Sequence, residues 1–336
     1  MAIEVPVLSL HDLDDPERRK EVAAQLGKAA RTTGFFQVTN HGVPSDLISR
    51  AFLLTSRIFA LPLSEKQKHA RNPQTNRGYD VLGGQALKGA IGVGHDEQEK
   101  NGDRANFADP DLKGWMIGPP NVDSTHEYWG RFGHGTNVLP PEELVPGVEE
   151  VMGRYYTAML NLATELMKLV ALSLDMPEDT FDELCRLPAA ALRLLHYPPE
   201  LSGTGAGAHT DFGLITLLAT SGAPGLELFT PSSQWLPIEP NPGAFVVNVG
   251  DILSLYTGGE YRSSLHRVVN RSGIKRYSIP FFLDGNSDVL VSPVRGPGKG
   301  KFPPVTVEQH LKTKFDASYA DKTAEEVMKA VLGAAA

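Results

Sequence analysis

The sequence predicts a mainly β core with flanking helices, of the sandwich, barrel or jelly-roll kind. Three observations lead there. From residue 189 onward, short apolar runs alternate with turn residues, the spacing expected of many short strands. The chain carries 33 glycines and 25 prolines, about 17% of all positions against an average nearer 12%, and that excess favours turns over a helical bundle. At 336 residues, with 41% hydrophobic and 21% charged positions, it has the length for one large domain or two and too much apolar content for a disordered chain.

The elements follow in order within one domain, 1–336. Residues 1–140 read as an α/β region. Val5 to Leu10 is a short apolar run. Asp15 and Pro16 are an N-cap and a first-turn proline, and Val22, Leu26 and Ala29 then share a helical face. Gly34 stops that helix, and Phe35 to Thr39 is short and apolar enough for a buried strand. Pro44 opens a second helix, and Ser64 caps a third. Between 77 and 140, glycines interrupt every periodic run, which suits lid-like or binding loops. Residues 141–188 hold a long scaffold helix and a short one. Val148, Met152, Tyr155, Met159, Leu162, Leu166 and Leu169 form one stripe at spacings of four and three, a core face about six turns long. Residues 189–290 carry the strands: Ala189–Pro198, Gly213–Thr220, Gln234–Ile238, Ala244–Val249, Ser263–Asn270 and Arg276–Leu283. A loop and outer helices fill 291–336.

Composition removes several classes of function. Cys185 is the single cysteine, which excludes a disulfide framework and any cysteine-based zinc or iron–sulfur site. The net charge is −8, so a basic stripe for nucleic acid or an anionic membrane is not expected. No long apolar stretch and no basic leader appear in the sequence, which predicts a soluble, cytoplasmic protein acting on a small molecule. The oligomeric state stays open.

The chemistry concentrates in three places. His209 and Asp211 form an HxD pair, weak evidence alone, since chance supplies roughly 0.6 such pairs in this composition. The glycine-rich loop 203–207 precedes them, placing them at the mouth of a strand, where positions i and i+2 share a face. His266 lies in a further β-like run. Two imidazoles and a carboxylate on one face leave three metal positions open, the arrangement of non-haem Fe(II) oxygenases. Ten residues past His266, Arg276 and Ser278 again share a strand face, and Phe282 continues it. An arginine fork with a neighbouring hydroxyl suits the far carboxylate of a dicarboxylate whose near end chelates the metal. Other motifs carry less. The Gly203–Gly207 run lacks dinucleotide-binding spacing, His41 and His196 read as hydrogen-bonded structural residues, and Asn248 and Asp251 as turn residues that satisfy backbone donors.

These residues sit in segments that resemble the 2-oxoglutarate/Fe(II)-dependent dioxygenase superfamily, in its isopenicillin N synthase-like branch, over nearly the whole chain. The segments are Gly34–Val43, Arg77–Tyr79, Leu192–Pro199, Ala208–Gly213, Asn248–Asp251, Leu265–Val268 and Arg276–Ser278, in the family's order. The wording is most similar to microbial members, including fungal polyketide hydroxylases and nucleobase-methyl hydroxylases. The resemblance implies a double-stranded β-helix (jelly-roll) core, with Fe(II), 2-oxoglutarate and O₂ as cofactor and co-substrates. It implies that His209, Asp211 and His266 bind iron, and that Arg276, Ser278 and Tyr197 contact 2-oxoglutarate. Leu195 stands where many plant members have an asparagine that contacts the co-substrate. Hydroxylation of a small molecule in microbial secondary metabolism, or desaturation or rearrangement, is the activity implied. An iron oxidase without 2-oxoglutarate and an amino-acid hydroxylase are the alternatives. Phe282, Tyr79, Arg77, Phe212, Phe107 and Trp115 are the expected substrate contacts, lining an aromatic pocket for a flat, largely apolar molecule.

Overall fold

The computed structural model describes residues 4–80, 113–199, 203–270, 273–300 and 303–319. The N-terminal region runs β1 (Val7–Ser9), α1 (Pro16–Thr32), β2 (Phe35–Thr39), α2 (Ser45–Ala60) and α3 (Leu63–Gln67). Asp15 caps α1 by accepting from the Glu17 amide, and Thr33 with Gly34 at φ +70° closes it. Ser64 lies inside α3 instead of capping it, because Pro62 occupies the N-cap position. Two short strands follow, β3 (Gly78–Asp80) and β4 (Lys113–Ile117). They belong to a sheet and not to a lid; residues 81–112 of the glycine-broken segment, Phe107 among them, lie outside the described residues, and 118–140 run as turns and irregular chain.

Helix α4 (Val148–Ser173) is the scaffold, and every member of the predicted stripe is buried. Among the described residues, no helix is long and apolar enough to cross a membrane. After the short α5 (Asp182–Cys185) come β5 (Ala189–Tyr197), β6 (Gly203–His209), β7 (Ile215–Thr220), β8 (Leu226–Phe229), β9 (Trp235–Pro237) and β10 (Phe245–Val249). Then follow α6 (Asp251–Tyr256), β11 (His266–Asn270), β12 (Arg276–Gly285), β13 (Leu290–Val291), β14 (Val305–Thr306) and α7 (Val307–Tyr319).

Eight strands form one sheet in the order β1-β2-β10-β7-β12-β5-β4-β3, and four form a second in the order β6-β11-β8-β9. This is the jelly-roll, a double-stranded β-helix. Strand alternation gives the large sheet two distinct faces. In β12, Ile279, Phe281 and Leu283 pack into the main core beneath α1, α2 and α4, while Arg276, Ser278, Pro280, Phe282 and Asp284 face the space between the sheets. In β10, Phe245, Val247 and Val249 take the helical side and Val246 and Asn248 the inner one. A smaller apolar cluster, including Phe35, Leu195, Leu228, Ile238 and Val268, fills part of the space between the sheets.

Besides β3, β4 and the two-residue β13 and β14, two strands of the second sheet escape sequence reasoning. β6 is the glycine-rich segment read as a loop. Its small residues suit a place where something must approach the backbone closely, and Gly205, Ala206 and Gly207 do line the central cavity. β8 is only four residues long and pairs with both β11 and β9.

Candidate metal centre and central cavity

His209 is the last residue of β6 and His266 the first of β11, and the antiparallel register sets them directly opposite each other. Their rings lie 4.3 Å apart. The strand ends at His209, so Asp211 reaches the same side from the turn that follows it. Its Oδ1 is 3.7 Å from the Nε2 of each histidine, and the three donor atoms lie within 4.8 Å of one another. Each imidazole has its second nitrogen engaged: His209 Nδ1 meets the Gly207 carbonyl at 2.6 Å and His266 Nδ1 the Ser264 carbonyl at 3.2 Å. A carbonyl can only accept, so the proton sits on Nδ1 and the Nε2 lone pair is left for a metal. Phe35 packs edge-on to the His266 ring at 5.4 Å and fixes its orientation.

Charge states suit the same role. Burial, and next the neighbouring His266, lower the His209 pKa and keep the ring neutral. Burial works against the Asp211 carboxylate, but the two imidazoles and hydrogen bonds from Thr216 and Asn248 bring it below the ordinary carboxylate value. Asn248 Nδ2 donates to Asp211 Oδ2 at 2.7 Å, leaving Oδ1 to face the histidines. Two neutral imidazoles and one carboxylate match the donor set that holds non-haem Fe(II).

The turn carrying Asp211 is clamped from below. The Asp251 amide donates to the Asp211 carbonyl at 2.8 Å, and the Ile252 amide to the Gly213 carbonyl at 2.9 Å. Gly250 packs so tightly there that a Cβ would run into the Gly213 backbone. Among the described residues no backbone amide donates to the Asp251 side chain, contrary to the sequence expectation. Asp251 accepts from Ser263 Oγ at 2.6 Å, Thr210 Oγ1 at 3.3 Å and Lys314 Nζ at 2.9 Å, which ties α7 to the metal turn. Asn248 likewise serves a side chain, Asp211. Its sequence signal was available: it is a lone polar residue on the inner face of an otherwise apolar strand.

The triad opens into a cavity of about 160 Å³ between the sheets. Arg276 lies in its wall at 1% exposure. Its Nη1 donates to Ser278 Oγ at 3.3 Å, and its guanidinium carbon sits 4.7 Å from the centre of the Tyr197 ring. Among the described residues, no carboxylate pairs with it. A buried cation without a counter-charge is costly, so this wall is built for an anionic ligand. Arg276 and His266 are close in sequence but lie on opposite sheets, facing each other across the cavity. Leu195 lines the cavity beside them and adds only apolar surface.

Phe282, Phe212 and Arg77 also line the cavity, as the sequence suggests. Tyr79 and Trp115 do not. Trp115 pairs with Leu194 and Tyr79 with Trp115, and paired residues share a face. Leu194 belongs to the main core, so both aromatics turn toward the helices. The Trp115 indole donates to the Val138 carbonyl at 2.7 Å there. Their neighbours Asp80 and Met116 take the cavity side. Among the cavity residues missed by sequence reasoning are Asp284, Phe132 and Phe315. Asp284 was legible as the next step of the 276, 278, 280, 282 series. Phe315 sits on α7, expected to pack outside; it instead packs tilted against Phe132 at 4.8 Å and edge-on to Phe212 at 5.4 Å.

Comparison with known proteins places this geometry. Residues 5–115 match the family described as non-haem dioxygenase in morphine synthesis N-terminal, and residues 188–285 match the 2OG-Fe(II) oxygenase superfamily. A 2-oxoglutarate-Fe(II) type oxidoreductase of Emericella nidulans is 36% identical, over 91% of this chain and 87% of its own. A clavatol oxidase of Penicillium crustosum is 39% identical, over 90% and 91%. The crystal structure of a 2OG-Fe(II) oxygenase family protein from Caulobacter crescentus superposes with a TM-score of 0.78 at 27% identity, covering 94% of this chain and 99% of that one.

Proposed function

The chain belongs to the 2-oxoglutarate/Fe(II)-dependent oxygenase superfamily, and we propose that His209, Asp211 and His266 hold its iron while Arg276 and Ser278 hold the distal carboxylate of 2-oxoglutarate. One observation carries this reading. Three donor atoms converge on one point with their other atoms already bonded, and a buried arginine, without an acidic partner among the described residues, stands in the wall of the same cavity. The bound Fe(II), with 2-oxoglutarate and O₂, supplies the oxidising chemistry, releasing succinate and CO₂ and oxidising a C–H bond of a small molecule.

The chain's own residues position and enclose. The Gly207 and Ser264 carbonyls hold the imidazole tautomers, and Asn248 holds the carboxylate so that one oxygen faces the metal. Arg276, fixed between Ser278 and the face of Tyr197, offers a preformed fork to a carboxylate. Leu195, Leu218 and Val268 keep the surroundings of that fork apolar, which strengthens its attraction for an anion. Phe212, Phe282, Phe132 and Phe315 line the part of the cavity left for substrate, surfaces suited to a flat, largely apolar molecule.

The test uses His209→Ala, Asp211→Ala and His266→Ala. Each variant should stay folded by circular dichroism, lose anaerobic Fe(II) binding, and release no succinate above background. Substantial Fe(II)-dependent succinate release by any one of them would remove that residue from the metal site.

A further inference from the structure

Among the described residues three arginines line the cavity, and they differ in company. Arg276 has no acidic neighbour among the described residues. Arg193 pairs with Asp80, Nη2 to Oδ2, at 2.9 Å. Arg77 is 1% exposed and holds the carbonyls of Gly133, Asn76 and Ala190. Arg77 and Asp284 both line the cavity, and Tyr156 first and Asp284 after it partly offset the lowering that burial imposes on the Arg77 pKa. Arg276 and Asp284 open and close the inward series of β12, about 26 Å apart along the strand at ~3.3 Å per residue. Asp284 therefore lies at the end of the cavity away from the co-substrate arginine.

Asp284 is unusual in one further respect. Among the described residues, no hydrogen bond and no ion pair reaches its carboxyl group, although the side chain lies against Gly213 in the cavity wall. Burial pushes its pKa up to about 7, with Asp211 adding to the rise and Arg77 opposing it. Asp284 is part-buried, with its carboxyl group open to the cavity, so it is free to take a hydrogen bond from a molecule bound there.

We propose that Asp284 determines substrate specificity: it offsets the charge of Arg77 and accepts a hydrogen bond from the substrate, so the cavity takes an uncharged, largely apolar molecule bearing a hydroxyl or amide N–H and turns carboxylates away. The proposal rests on the reading above, in which Arg276 is committed to 2-oxoglutarate. A free amino acid would need a second cation for its carboxylate, and among the described residues Arg193 is paired with Asp80 and Arg77 is held by three backbone carbonyls.

The experiment compares benzamide and benzoate, two flat probes of one shape that differ in charge. Binding is measured by calorimetry on anaerobic protein holding Mn(II) and saturating 2-oxoglutarate, at about pH 8, where Asp284 is charged. The wild type should favour benzamide by about tenfold or more. Asp284→Asn, which keeps the side-chain shape, should erase or reverse that preference, because Arg77 then stands unopposed. Asp284→Ser serves as a second neutral variant should the first fail to fold. An unchanged preference in the variants overturns the proposal, and so does a wild type that binds neither probe or prefers benzoate. 2-Oxoglutarate binding to Arg276→Ala is measured alongside. Wild-type binding there would sink the co-substrate placement, while the two probes still report on Asp284.

Discussion

Arg276→Ala should cost the Fe(II)-loaded protein most of the thermal stabilisation that 2-oxoglutarate gives it. A ligand at a hundred times its Kd stabilises the native state by about 2.7 kcal/mol. With an unfolding entropy of about 2.1 cal/mol/K per residue, a chain of 336 residues changes stability by about 0.7 kcal/mol per degree near its midpoint, so that stabilisation is a shift of about 4 °C. Arg276 sits at 1% exposure with one hydroxyl and one ring as neighbours, so little water can replace its grip on a carboxylate. Losing such a contact costs about 2–5 kcal/mol, which weakens binding roughly 30-fold to several thousand-fold. At the same ligand concentration the residual shift is then about 1 °C or less. Arg276→Lys should recover part of it, because a point charge survives but the fork does not. The assay is an anaerobic melt with and without 2-oxoglutarate, with succinate release as a second readout. A variant that keeps the full wild-type shift would show that the co-substrate carboxylate is held elsewhere.

Three more outcomes follow from the same geometry. Asn248→Ala leaves Asp211 Oδ2 without its 2.7 Å donor and should weaken Fe(II) binding about 10–100-fold in a chelator competition; unaltered affinity would mean that Asn248 does not orient the carboxylate. Gly250→Ala forces a methyl against the Gly213 backbone and should destabilise the protein by about 1–3 kcal/mol in urea while loosening the metal turn; an unchanged denaturation midpoint would refute the close packing. His134 is held down to about 4, by burial first and by Arg77, His126 and Arg131 after it. Its imidazole stays neutral when folded but takes up a proton below about 6.5 when unfolded. Stability should therefore be fully present above that pH and fall as the pH drops toward 4. His134→Gln should flatten that fall, and an identical pH profile would refute the assignment.

Legibility in the sequence followed the physics of each segment. The inner face of β12 could be read from Arg276 onward because alternation is rigid once one residue is anchored, and Asp284 lay one step beyond the reading. Tyr79 and Trp115 had no such anchor. Their facing is set by pairing with β5 at the far edge of the sheet, a tertiary choice that no local pattern records. β6 was hidden because strand propensity reflects side-chain packing, and a segment of glycine and alanine has little side chain to pack. Helical periodicity announced α7 but not which neighbour it covers, so Lys314 on Asp251 and Phe315 in the cavity were beyond reach. The triad itself was legible because three ligand-type residues fell on predicted strand faces, and the family resemblance supplied their joint role.

The pairing of β2 with β10 bears on how the protein is made. β10, which carries Asn248, closes onto β2, and the Val249 amide bonds the Gly34 carbonyl. Phe245 is synthesised about 200 residues after Thr39, roughly 10–40 s later at about 5–20 residues per second. Throughout that interval the nascent chain holds β2 (FFQVT) with one edge open, an apolar strand of the kind that invites pairing with a neighbouring chain. Overexpression yield should therefore be governed by shielding of residues 35–39 on the ribosome, and slow elongation or scarce chaperones should drive aggregation through that strand before the metal site exists.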